Sequence, residues 1–180
     1  MGTIRLGISP CPNDVYIFSG LILNTFSTGE LTFEVDYQDV ETLNERSQRG
    51  EYDMVKISYA NYIRCQNHYT LMNTGGALGR GCGPLLLVNG KGSQEAREIL
   101  IPGQFTTANF LLDFYLQRPH PKRPLPFDVL YENLLAEPGS QGVVIHEKRF
   151  TYERDGLTLV VDLGEYWESK TGMPIPLGAI

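Results

Sequence analysis

No apolar run in the 180 residues approaches the roughly 20 needed to cross a bilayer, and the opening MGTIRLGISPCPND lacks the long apolar stretch of a secretory leader. A cytoplasmic protein with no membrane insertion is the expectation. Cysteine is scarce. Cys11, Cys65 and Cys82 are odd in number and far apart, which excludes a disulfide framework and a CxxC metal pattern and points to reduced thiols. Basic residues are outnumbered, 15 Lys and Arg against 21 Asp and Glu, so no basic stripe is at hand to neutralise nucleic-acid phosphates. HxxxH, HExxH and calcium-loop patterns are missing, so no metal is expected. GxGxxG and a terminal Gly-Lys-Ser/Thr are missing too, and TGGALGRGCGP is therefore not a phosphate loop and implies no nucleotide cofactor. No repeat or low-complexity tract occurs.

What is present is an ordinary globular composition, 42% hydrophobic and 20% charged, sufficient for one domain or two small lobes. TIRLGIS alternates as a strand, and PCPND follows as a turn with Asn13 or Asp14 placed to cap a helix through VYIFSGLIL. LTFEVDYQ is predicted as a strand, VETLNERSQRGEYD as a helix ended by Gly50, MVKIS as a short strand and YANYIRCQ as a helix. Alternation of this kind implies an α/β protein with a largely parallel sheet covered on both faces.

After LLLVNG a second alternation begins, with EILIPG, FDVLY, GVVIHE and LTLVVDLG as strands and TTANFLLDFYLQ as a helix. The prolines of RPHPKRPLPF mark an exposed connection, and His120 within it reads as a solvated loop residue. The apolar end TGMPIPLGAI is predicted to return as a crossing strand. These readings place a first lobe at 1–88, a second at 89–172 and the crossing strand at 173–180. Two crossings between two lobes would leave a cleft, and such clefts and the carboxyl ends of parallel strands are where small ligands bind.

Chemistry is most concentrated in QGVVIHEKRFTY. His146 ends a strand on the ligand side of such a sheet, and an imidazole titrating near pH 6.5 can act as general base. Its alternative is a hydrogen-bonded strand-end histidine with no chemical task. Glu147 and Arg149 either orient it or pair with each other at the surface. Thr106 and Thr107 immediately precede a helix, so they either cap it or help its free amides hold a carboxylate. Ser58 similarly follows a strand and begins a helix, while Lys56 binds an anion or lies on the outer face. Arg80, among the glycines, is a candidate anion partner. Ser9 and Cys11 lie in the first loop with no neighbouring base, so no nucleophilic triad is claimed.

LGISPCPNDVYIF, DVETLNE, KISYANY, GGALGRGCGPLL, IPGQFTTANFLL, VVIHEKRFTYERDGL and VDLGEYWESKTGMPIPLGAI, in this order over nearly the whole chain, resemble the 1,4-dihydroxy-6-naphthoate synthase family of the futalosine route to menaquinone. The resemblance implies the two-lobed type II periplasmic-binding-protein fold, with parallel-rich mixed sheets and an inter-lobe cleft, in a carbon–carbon lyase without metal or redox cofactor. Such a lyase converts cyclic dehypoxanthine futalosine to 1,4-dihydroxy-6-naphthoate and dihydroxyacetone. It also implies His146 as catalytic base, Ser58, Thr107 and Ala108 as cleft-lining residues that bind a small carboxylate substrate, and the SPCPND loop, with Asn13, as a cleft-lining region. The family continues past PLGAI with helices that complete the first lobe. A chain ending at Ile180 is thus expected to be a fragment or a natural short form, with exposed apolar surface that favours self-association. Chorismate dehydratase of the same pathway and a non-catalytic solute-binding protein are the alternatives.

Overall fold

The computed structural model describes residues 2–90 and 97–180; Met1 and residues 91–96, the latter in the predicted second lobe, lie outside the described residues. Strand β1, Gly2–Ile8, ends in three consecutive buried residues because it is the central strand of its sheet, ordered β2-β1-β3, with β2 at Leu31–Tyr37 and β3 at Met54–Val55. Both pairings are parallel. The period of two along β1 sorts its neighbours. Leu6 and Ile8 pack with Phe18 of α1, Pro12–Ile22. Gly7 faces the other way, where a Cβ would lie 2.9 Å from the Tyr52 ring and 3.0 Å from Leu43 of α2, Val40–Ser47. Asp39 caps α2 by accepting from the Glu41 and Thr42 amides.

The predicted single strand MVKIS is two strands. Val55 ends β3, and Ile57–Ser58 form β4, which pairs antiparallel with β11, Ile175–Ala179. Lys56 is the junction between them and donates its backbone N–H to Gly7 O at 2.9 Å. Helix α3 follows at Tyr59–Cys65. Together with residues 177–180, the segment 1–77 forms one compact unit, and 78–176 forms another. The division thus falls at Ala77 and Pro176, ahead of the 88/89 boundary and after the 172/173 boundary expected from sequence. LLLVN belongs to the second unit because it pairs there on both sides.

That strand, β6 at Leu85–Asn89, is buried along four consecutive residues, as expected of a strand covered on both faces. The five-stranded order is β10-β6-β9-β7-β8, with β7 at Ile99–Ile101, β8 at Lys122–Pro124, β9 at Gln141–Val144 and β10 at Leu157–Asp162. β7 pairs parallel with β8 and β9, whereas β6 pairs antiparallel with β9 and β10. The proline-rich connection contributes β8 as an edge strand, the position in a sheet where proline costs least. FDVLY, predicted as a strand, instead opens helix α5, Phe127–Ala136. Its Leu130, Tyr131 and Leu134 are buried at helical spacing against Leu85, Leu87, Leu100 and Val144. Leu87→Ala at this fully buried position is expected to cost about 2–5 kcal/mol, read as a lower midpoint in urea unfolding.

Helix α4, Thr107–Leu116, packs on α6, Leu163–Thr171, through edge-on aromatic pairs, with Phe114 and Trp167 centroids 5.0 Å apart and Tyr115 and Tyr166 5.1 Å apart. Among the described residues four phenols are held above their ordinary value, Tyr152 by burial and then the neighbouring Glu153 charge. For Tyr131 the causes are burial and then the hydrogen bond to Asp155; for Tyr52, burial and then the bond to Asp36; for Tyr69, burial. A raised phenol pKa contributes stability that is complete below the unfolded value of about 10 and is lost as pH rises through the folded value. Melting temperature should therefore fall above about pH 10, and Tyr131→Phe should flatten that fall. No helix among the described residues is long and apolar enough to cross a membrane.

Candidate active site

In the second unit, β9, β7 and β8 are parallel neighbours, so their carboxyl ends lie side by side on one edge of the sheet. β9 leads to His146, β7 to the start of α4 and β8 to Phe127 at the start of α5. The Phe127 and His146 rings meet edge to face, with centroids 5.4 Å apart. This edge is where parallel sheets offer ligands loop side chains and helix amides.

His146 is not the last residue of its strand. β9 stops at Val144, Ile145 is extended, and His146 takes a positive φ of 57° as it opens a short 3-10 helix, His146–Phe150. A non-glycine residue in this left-handed region carries backbone strain that the surroundings must offset. The side chain is exposed. The charges that follow have separate tasks. Lys148 Nζ lies 4.7 Å over the Tyr131 ring. Arg149 pairs with Asp162 at 3.1 Å rather than with Glu147, and it also donates to Gly83 O.

At the start of α4, Thr106 is the cap. Its Oγ1 accepts from the Asn109 amide at 3.1 Å and donates to Gly103 O at 2.9 Å. Thr107 is buried and donates to Pro176 O at 3.2 Å. The Ala108 amide belongs to the same first turn, where amides have no intrahelical acceptor. Arg80 is exposed, one residue past β5, Ala77–Gly79.

The first unit holds the other candidates, at the carboxyl ends of β1 and β3. Lys56 is buried there, and its Nζ lies 3.3 Å from Asp14 Oδ1; the two side chains are only 10% and 9% exposed. Asp14 Oδ2 accepts from the Ser9 hydroxyl at 2.8 Å and from the Ser9 amide at 3.2 Å, and Cys11 Sγ lies 2.9 Å from Ser9 Oγ. Helix α1 therefore begins without a side-chain cap. Cys11 occupies the cap position, Asn13 is exposed in the first turn, and Asp14 spends its carboxylate on Ser9 and Lys56 rather than on the helix. Ser58 is buried, held by Asn44 through Ser58 N to Asn44 Oδ1 at 2.9 Å and Asn44 Nδ2 to Ser58 Oγ at 3.1 Å. Asp14 and Phe127 escaped the sequence reading as site residues, since one reads as a helix cap and the other as part of a strand. Among the described residues no cluster of three or more His, Cys, Asp or Glu side chains is placed to hold a metal.

One position of the Gly81–Gly83 loop leaves no room for a side chain. A Cβ on Gly83 would lie 2.5 Å from Gly164 Cα, a backbone atom that cannot swing aside. Gly83→Ala is expected to lower thermal stability by at least about 2 kcal/mol, measured against wild type in denaturant unfolding.

A family model described as menaquinone biosynthesis matches residues 4–180. A Thermus thermophilus protein named 1,4-dihydroxy-6-naphtoate synthase is 43% identical over all of this chain and 66% of its own length. A Streptomyces coelicolor protein of the same name is 36% identical over 99% of this chain and 65% of its own. This chain thus spans about two thirds of the length of the curated relatives it matches. A crystal structure of an Archaeoglobus fulgidus protein aligns with a TM-score of 0.91 at 31% identity, covering 98% of this chain and 66% of that one. The alkanesulfonate-binding protein of Xanthomonas axonopodis, at 13% identity and TM-score 0.63 over 89% of this chain and 60% of its own, shares the fold. The architecture is accordingly that of the periplasmic binding proteins.

Proposed function

We propose, starting from the fact that this chain belongs to the menaquinone biosynthesis family, that it acts as a 1,4-dihydroxy-6-naphthoate synthase with His146 as general base. The substrate is cyclic dehypoxanthine futalosine and the second product dihydroxyacetone. The observation that carries the reading is the sheet edge on which a left-handed His146 and the first turn of α4 emerge from adjacent parallel strands.

Neutral His146 takes a proton from the sugar-derived portion of the substrate. A retro-aldol-like cleavage follows, in which a carbon–carbon bond breaks and its electrons pass into the ring system that becomes the aromatic naphthoate. No oxidant is consumed, so the protein's task is placement and proton transfer. The Ala108 amide lies at the positive end of the α4 dipole, suited to a substrate carboxylate or hydroxyl, with Thr107 beside it in the same first turn.

Incubation with cyclic dehypoxanthine futalosine tests the reading. Naphthoate and dihydroxyacetone should form in equal amounts. Saturable binding without conversion would replace the reading with a solute-binding role, for which the likeness in fold to the alkanesulfonate-binding protein provides the motive.

A further inference from the structure

The turn that carries His146 is held from behind by a side chain three residues along it. Arg149 bridges three places at once. One guanidinium nitrogen donates to Gly83 O, and the other lies 3.1 Å from Asp162 Oδ2 and 3.5 Å from Gly81 O. Its side chain is 17% exposed and that of Asp162 only 8%, so water competes weakly for the pair. Asp162 is itself fixed, because its other oxygen caps α6 through the Gly164 and Glu165 amides at 2.8 and 3.1 Å. The loop end of the bridge is fixed as well. The Gly81 amide donates to Glu168 of α6 at 2.8 Å, the Leu163 amide donates to Pro84 O at 3.0 Å, and Gly83 is in backbone contact with Gly164.

We propose that Arg149 is a positioning residue for His146: by tying the 3-10 helix to the Asp162 cap and the Gly81–Gly83 loop, it holds the left-handed backbone that presents the imidazole to substrate. This rests on the reading of His146 as base. The physical case has two parts. The left-handed backbone at His146 is disfavoured for a residue with a Cβ, so a short helix of one and a half turns with an exposed first residue would relax without an external tie. Arg149 supplies that tie with a planar fork able to engage a carboxylate and a carbonyl together, which a lysine ammonium cannot reproduce in the same geometry. The Phe127 ring, edge to face with the imidazole, limits it further.

Two variants separate positioning from general stability. Arg149→Met keeps much of the apolar stem and removes the fork. Asp162→Asn keeps a side chain that caps α6 about as well and removes only the charge that holds Arg149. His146 sits in the ring-current field of Phe127, and the chain has only three histidines, so its imidazole carbon-bound proton resonances can be assigned and followed by NMR in the folded protein. In both variants these resonances should lose their Phe127-dependent displacement and move toward free-imidazole values. In both, kcat should fall roughly 10- to 100-fold, the loss expected when a catalytic group is misplaced by about an ångström, with KM changed much less. Arg149→Lys should recover part of kcat but not all of it.

Unmoved His146 resonances in both variants, or an unchanged kcat, would overturn the positioning role. A His146→Asn control separates this failure from failure of the functional reading. If His146→Asn keeps turnover, the base assignment is wrong; if it loses turnover while Arg149→Met keeps it, the base stands and the positioning role does not.

Discussion

His146→Asn is expected to remain folded and to lose roughly 100- to 10,000-fold in kcat, the range that a positioned general base contributes. The choice of asparagine follows from the backbone. At a φ of 57° most side chains add strain, but asparagine tolerates the left-handed region better than any residue except glycine. The side chain is also exposed, so little packing is lost apart from the edge of Phe127. Melting temperature should therefore stay within a degree or two of wild type, by the small per-residue cost of a surface substitution. An amide cannot accept a proton at neutral pH, so turnover should fall while substrate binding is largely kept. His146→Gly is the companion: it relieves the strain, leaves stability equal or slightly higher, and should be as inactive. Initial rates of naphthoate formation together with thermal melts check both, and near-normal turnover in either would remove His146 from the chemistry.

The second large effect concerns the first unit. Lys56→Met should destabilise the protein by about 3 kcal/mol, at the lower end of the cost of leaving one partner of a buried ion pair uncompensated. The lower end applies because Asp14 keeps its two bonds to Ser9 and because the 3.3 Å contact is not a tight one. Asp14→Asn has the mirror-image defect, an ammonium stranded beneath Gly178, where a Cβ would lie 3.6 Å from Lys56 Nζ. Combining the two replaces an ion pair with groups that carry no net charge, so the double variant should be more stable than the sum of the single effects requires. Urea unfolding of the four proteins measures that coupling. A coupling energy near zero would mean that the pair is solvated and that Lys56 is not the buried cation described above.

Much of the architecture was legible along the chain. β1, β2, β6 and β11 are runs of apolar or alternating residues bounded by turn residues, and α4 begins where a threonine cap announces it. Two segments read differently from how they fold, each for its own reason. FDVLY reads as a strand because five residues cannot distinguish a period of 2 from one of 3.6, and only Leu134, beyond it, completes the helical face buried in α5. MVKIS reads as one strand because nothing local reveals that Lys56 answers to Asp14, 42 residues away. α6 was not predicted; GEYWESKT is too polar to show a clear stripe, and the helix is stabilised by its Asp162 cap and by aromatic contacts to α4.

The candidate site divides in the same way. An imidazole after a buried strand is a chemical signal written in residue order, and so are a threonine pair before a helix and the motifs that mark the family. Which partner each charge takes is not written there. Arg149 could have paired with adjacent Glu147, and Asp14 could have capped its own helix. The first instead engages Asp162 and the second Lys56, because burial makes an unpaired charge more costly than a surface pair is favourable. Local order thus dictated which elements form and which groups carry chemistry. Folding, by removing water from particular contacts, chose the positive φ at His146, the anchor behind it and the buried cation of the first unit.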